Sequence, residues 1–109
     1  MLAAGARLRL AGASVGLQPT LFLGTGLADR TIRPLWQYAA AAALCAAGTP
    51  LVWKTYSGIT HNGGVNAAFD VELRFVRSVL ANKPVASSCN NLVAPGATQA
   101  AAAGIPFND

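Results

Sequence analysis

Charged residues are scarce in this chain of 109 residues. They make up 11% of it, against about a quarter in a typical soluble domain. Apolar residues make up 53%, and many of these are alanine. We therefore expect a modest core, and a segment that buries much of its surface against other protein.

Concentrated positive charge is also missing. The net charge is +4, but the eight Lys and Arg residues are dispersed and form no run. Aromatic residues are not interleaved with them, as they are in many nucleic-acid-binding segments. We expect no nucleic-acid partner.

Long hydrophobic runs are absent as well. The longest, at 38–47, is far shorter than the roughly 20 residues that span a bilayer, so no transmembrane segment is predicted. At the start of the chain, arginines interrupt the apolar stretch "MLAAGARLRLAGASVG". A signal peptide needs an uninterrupted apolar stretch, and none is predicted.

Cysteine is limited to Cys45 and Cys89. Two cysteines are too few for a disulfide scaffold, and they lack the spacing of metal ligands. No metal site and no cofactor are expected. The residues alone leave two alternatives open: one disulfide, if the protein is exported, or two buried free thiols.

Strand and helix patterns alternate within residues 18–83, between an irregular segment predicted at 1–17 and an irregular tail predicted at 84–109. The predicted elements are a strand at 19–26, a helix at 34–48, a strand at 49–58, a loop at 59–64 and a helix at 66–82. Strand, helix and strand joined by short loops imply two parallel strands. The expected fold class is α/β, and two strands alone favour a position at one side of a larger doubly wound sheet.

Two residues with catalytic potential follow the predicted strands. Asp29 comes after the first strand, and His61, the single histidine, comes after the second. Adjacent parallel strands lie about 4.8 Å apart, so an Asp carboxylate there can orient a His as general base. Each residue also has a simpler interpretation, in which Asp29 shapes its loop through backbone amides and His61 is an exposed loop histidine.

The stretch "GASVG" at 12–16 matches G-x-S-x-G, the motif that presents a nucleophilic serine in many hydrolases. That motif needs a strand before the serine and a helix after it. No helix pattern follows Ser14, because "VGLQP" leads directly to the next predicted strand. We therefore predict a loop or linker serine.

The stretch "PTLFLGTGLADRTIRPLWQYAAAAALCAAGTPLVWKTYSGITHNG" resembles the C-terminal part of an α/β-hydrolase. The shared pattern is an apolar strand, Gly, a short gap, Asp and Pro, then a helix, then a strand that leads to His. Within that superfamily, "LCAAGTP" and "ELRFVRSVLANKPVASSCN" most resemble the secretory lipase family.

The resemblance implies that Asp29 is the acid and His61 the base of a catalytic triad, acting on fatty acyl or lipid esters in an exported protein. It also implies a disulfide between Cys45 and Cys89 that ties the last helix to the tail. The family's nucleophile elbow, oxyanion loop and lid lie upstream of this region. The first hypothesis is therefore a C-terminal lipase or esterase fragment, inactive alone, whose partner is the missing N-terminal part.

Two other hypotheses remain. The chain could be a small non-enzymatic α/β module that pairs through its exposed sheet edge. Ranked last, it could be a minimal hydrolase that uses Ser14.

Overall fold

The structure, a computed structural model, describes residues 7–10, 13–16 and 19–109. Two short strands, β1 (Arg7–Leu10) and β2 (Ala13–Gly16), pair antiparallel. The expectation of an irregular segment at 1–17 is therefore wrong for these residues. The alternation of arginine and leucine in β1 matches the two-residue period of a strand.

The rest of the ordered elements form a mixed α/β unit, which confirms the predicted class. In chain order they are β3 (Leu21–Gly26), α1 (Pro34–Ala46), β4 (Leu51–Tyr56) and α2 (His61–Leu80). β3 and β4 pair in parallel, as predicted, with Gly26 opposite Tyr56 at their carboxyl ends. The loops after these two residues leave the sheet at the same end.

Local sequence explains the bounds of α1. Pro34 occupies the first turn, where its missing N–H removes no helical hydrogen bond. Gly48 follows the helix with a φ of 83°, a left-handed conformation that glycine adopts without strain. Gly48 thus ends the helix, as predicted.

α2 begins earlier than the sequence indicates. The predicted loop at 59–64 is wrong from His61 onward, because His61 and the Asn-Gly-Gly stretch form the first turn of the helix. Thr60 caps this turn: its side-chain oxygen accepts a hydrogen bond from the Gly63 N–H at 3.2 Å. A side chain at Gly63 would collide with Asn108, so glycine here permits close packing and does not mark a turn.

The core is small, as expected. Its largest fully buried side chains are Leu51, Thr25 and Pro34. Large apolar side chains remain exposed on both helices. They are Leu35, Trp36, Val65, Phe69, Val76, Val79 and Leu80.

The two outer edges of the parallel sheet differ. On the β4 side, the Trp53 N–H donates to Ser88 Oγ at 3.0 Å, and the Ser88 N–H donates to the Leu51 carbonyl. On the β3 side, the N–H groups of Leu21 and Leu27 point toward β4. Alternation along the strand directs the N–H groups of Phe22 and Gly24 the other way, where no described strand pairs with them.

The segment at 84–109 contains neither helix nor strand. A disulfide between Cys45 and Cys89 fastens its beginning to α1. The cysteine pairing implied by the resemblance is therefore present. Its expected attachment to the last helix is wrong, because Cys45 lies in the first of the two helices that the structure describes.

Candidate active site

Asp29 and His61 meet at the carboxyl end of the parallel sheet. Asp29 follows β3 and His61 opens α2, and His61 Nδ1 lies 2.8 Å from Asp29 Oδ2. The Asp29 side chain is 5% exposed, whereas that of His61 is 49% exposed. One partner is thus held inside the protein while the other faces outward.

Four donors surround the Asp29 carboxylate. Oδ1 accepts from the backbone N–H groups of Thr31 and Ile32, each at 2.9 Å. Oδ2 accepts from His61 and, at 3.2 Å, from Gln37 Nε2. One oxygen therefore shapes the loop, as the simpler interpretation expects, and the other contacts the histidine.

The charged form of Asp29 is favoured by this arrangement. Burial alone raises the pKa of a carboxyl group. Here the hydrogen bonds from His61, Ile32 and Thr31, together with the charge of His61, outweigh burial and lower the pKa of Asp29 below its ordinary value of 3.8. An ionised carboxylate only accepts hydrogen bonds, so His61 Nδ1 carries the proton.

This tautomer leaves His61 Nε2 as a base. Within residues 19–109, no hydrogen bond engages Nε2. The imidazole lines an open cavity of about 530 Å³ that runs beside β3 between the two helices. Asp29 also lines this cavity, as do the apolar side chains of Ile32, Trp36 and Val65. An imidazole held by a carboxylate and facing such a cavity can take a proton from a hydroxyl group.

The tail fixes the start of α2, and with it His61. The Asn108 side chain accepts from the Thr60 N–H at 2.7 Å and donates to the carbonyls of Gly58 and Ala102. It thereby fastens the residue immediately before His61. No sequence pattern indicates this role, because Asn108 lies in an irregular segment, 47 positions from His61.

Gln99 joins the two loops that carry the pair. Its backbone N–H donates to the Leu27 carbonyl at 2.8 Å, two residues before Asp29. Its side-chain oxygen accepts from the Gly58 N–H at 2.8 Å and from Ser57 Oγ. The signal that could have drawn attention to Gln99 is its polarity within an otherwise alanine-rich stretch.

The structure does not bring Ser14 into an elbow. Ser14 lies in β2, opposite Arg9, so the predicted loop or linker position is wrong. The next element is the strand β3 and not a helix, as the sequence predicted. Within residues 19–109, no serine hydroxyl forms a hydrogen bond with His61.

The described residues lack two other functional features. No group of three or more His, Cys, Asp or Glu side chains among them could hold a metal ion. None of their helices is long and apolar enough to cross a membrane.

No protein-family model, curated protein or solved structure matches the chain. The resemblance to α/β-hydrolases therefore rests on the residues quoted above. The catalytic roles of Asp29 and His61 stay predictions.

Proposed function

We propose that this chain is the C-terminal part of a secreted serine carboxylic ester hydrolase, a lipase or esterase. The observation that carries the proposal is the contact of 2.8 Å between Asp29 and His61 at the carboxyl ends of two adjacent parallel strands. In α/β folds, functional groups gather at that end of the sheet.

The pair has the chemistry that ester hydrolysis requires. His61 Nε2 takes the proton of a serine hydroxyl while the serine oxygen attacks the ester carbonyl carbon. Asp29 stabilises the resulting imidazolium and remains ionised. The imidazolium then gives its proton to the departing alkoxide, which leaves an acyl-serine that water cleaves by the same two steps.

The serine comes from a polypeptide segment other than residues 19–109. The edge of β3, with which no described strand pairs, is the natural place for that segment, because the cavity that His61 lines runs along this edge. A strand paired there would deliver a nucleophile at its carboxyl end, near the imidazole. The apolar side chains of Trp36 and Val65 then suit the acyl part of an ester.

The disulfide supports the secreted part of the proposal. Disulfides persist in oxidising compartments and are rare in the cytosol, and Cys45 and Cys89 are joined. A disulfide is compatible with other oxidising locations, so export rests mainly on the resemblance.

The first experiment assays the purified chain on a short p-nitrophenyl ester. We expect no turnover that depends on Ser14, and the same background rate for S14A. Turnover that disappears in S14A would instead establish the third hypothesis, a minimal hydrolase.

The second experiment reads the DNA directly upstream. The proposal expects a segment, in frame or frameshifted, that encodes a strand, G-x-S-x-G and a helix. Expressed with this chain, it should give ester hydrolysis that D29N and H61Q abolish. A promoter with no hydrolase remnant would overturn the proposal.

That last outcome would favour the alternative, a non-enzymatic interaction module. The observation behind this alternative is the same unpaired edge of β3, which can accept a strand from another protein. The two functions differ at His61. H61Q should leave binding of a partner strand unchanged in a module, whereas it should abolish hydrolysis in an enzyme.

A further inference from the structure

We infer that Gln37 is a positioning residue for the Asp29–His61 pair, held in place by a one-directional chain of hydrogen bonds that begins at Trp53. The inference rests on the proposed function insofar as the pair serves as a catalytic base. The hydrogen bonds themselves join β4, β3, α1 and the site.

The chain of hydrogen bonds has a fixed direction. Trp53 Nε1–H donates to Thr25 Oγ1 at 2.8 Å, and an indole nitrogen can only donate. The hydroxyl of Thr25 therefore donates its single proton to Gln37 Oε1, and the two oxygens lie 2.8 Å apart. Thr25 is fully buried, so water does not compete for either bond.

The direction fixes the amide of Gln37. With Oε1 turned toward Thr25, Nε2 faces the Ile32 carbonyl at 2.7 Å and Asp29 Oδ2 at 3.2 Å. A flipped amide would turn its oxygen toward this carbonyl and this carboxylate, and two oxygens would then repel each other at both contacts. All three contacts therefore favour the same orientation of the Gln37 amide.

Gln37 completes the set of donors around Asp29. It donates to the same oxygen, Oδ2, that accepts the His61 Nδ1–H. The carboxylate cannot rotate without losing bonds at both oxygens, so Oδ2 stays directed at the imidazole. Gln37 therefore acts on His61 through Asp29 and is not itself a catalytic residue.

The charged surroundings of Asp29 are simple. His61 is the ionisable side chain that acts on it. Glu72 on α2 lines the same cavity, and Arg30 and Arg33 are exposed on the loop that follows Asp29. A neutral donor such as Gln37 can be removed without changing these charges.

The experiment follows the acid titration of Asp29 by carboxyl ¹³C NMR in the full chain. Replacing Gln37 with methionine keeps the length of the side chain but removes its donor. Because the carboxylate loses one of its four donors, we expect Q37M to raise the pKa of Asp29. The control is N91L, which removes an exposed amide from the segment beside β4 and should leave the pKa of Asp29 as in the wild type.

H61L separates failure of this inference from failure of the proposed function, because leucine removes the donor at position 61 without supplying another. If H61L raises the pKa of Asp29 but Q37M does not, Gln37 is not a positioning residue and the Asp29–His61 pair stands. If H61L leaves the titration unchanged, the pair does not form in solution, and the proposed function loses its main support.

A wild-type measurement covers the case in which Q37M does not fold. The carboxamide N–H signals of Gln37 should shift during the same acid titration as Asp29, because one of these protons is bonded to the titrating oxygen. Those of Gln99 should not follow it. Gln37 signals that stay constant through the titration of Asp29 would overturn the inference.

Discussion

The two outer edges of the parallel sheet differ in how far other parts of the chain cover them. The edge of β4 is covered: Ser88 exchanges hydrogen bonds with it, and the disulfide between Cys45 and Cys89 fastens the covering segment to α1. The edge of β3 pairs with no described strand and borders an open cavity. One side of the sheet is covered by the chain itself, and on the other side the described residues leave the edge open.

The difference shows that the open edge of β3 lies next to a site whose carboxylate is fully hydrogen-bonded. Uncovered edges invite pairing with other chains, and proteins usually protect them. Here the protection is confined to β4, yet the carboxylate of Asp29, just beyond the open strand, has a full set of hydrogen bonds. This pattern supports a sheet that continues past β3 and ends at β4.

The largest effect is expected from removing the disulfide that secures the covered edge. The two cysteines are separated by 44 positions, and closing a loop of that length stabilises a protein by about 4 kcal/mol in the chain-entropy account. The double variant C45A/C89A should lose about this much free energy of unfolding, measured by urea denaturation. A loss below about 1 kcal/mol would mean that the disulfide adds little to the closure of the β4 edge.

A smaller effect is expected from S88A, which removes one hydrogen-bond acceptor from the covered edge. The Trp53 N–H would lose its partner, and an unsatisfied backbone donor costs about 1–2 kcal/mol when it is shielded from water. Hydrogen exchange of the Trp53 amide should accelerate in S88A.

The wild type provides the internal reference for that measurement. The amides of Phe22 and Gly24, on the open edge, should exchange rapidly, while the amide of Trp53 should be protected. S78A, which changes a hydroxyl on α2, serves as the control and should leave the Trp53 amide protected. Equal protection at the two edges of the wild type would remove the contrast between them.

The sequence predicted the parts of the molecule that short-range patterns determine. The presence of β3 and β4 follows from apolar runs, although both strands are shorter than predicted. The stop at Gly48 follows from local sequence, and the meeting of Asp29 with His61 follows from the geometry of parallel strands. The first turn of α2 was missed because Asn-Gly-Gly is typical of a turn. Its helical conformation depends on Asn108, a contact between residues far apart in the chain.

The apolar surface of α2 is wider than the part of it that is buried. Phe69, Leu73, Val76 and Leu80 follow the spacing of one apolar helix face, yet Phe69, Val76 and Leu80 are exposed and Ala68 is buried. Among the described residues, the sheet beside α2 has two strands, so it covers a narrow stripe of the helix. The wide apolar face would suit a larger sheet, which agrees with the proposal.

A third test asks whether the site is as well ordered as the covered edge. The pKa of Asp29 is lowered in the folded protein, so the folded state binds that proton less readily than the unfolded state does. The resulting stabilisation is complete above the ordinary pKa of 3.8 and disappears as the pH falls through the lower, folded value.

Urea denaturation at a series of acidic pH values checks this expectation. The advantage of the wild type over D29N should shrink as the pH falls below 3.8. A constant difference between the two proteins across this range would show that the carboxylate of Asp29 is not specially stabilised. The site would then be as loosely held as the edge of β3.

The smallest effect is expected beside the open edge. Val65 lines the cavity next to β3 and is 73% exposed, whereas Val52 on β4 is 7% exposed. V52A should cost about 2 kcal/mol because it leaves a void in the core. The same substitution at Val65 should change the free energy of unfolding by less than about 0.5 kcal/mol.

If V65A costs as much as V52A, something covers the cavity in solution. The dependence of V65A stability on protein concentration would then tell whether that cover is a second copy of the chain, since only an association between copies strengthens with concentration.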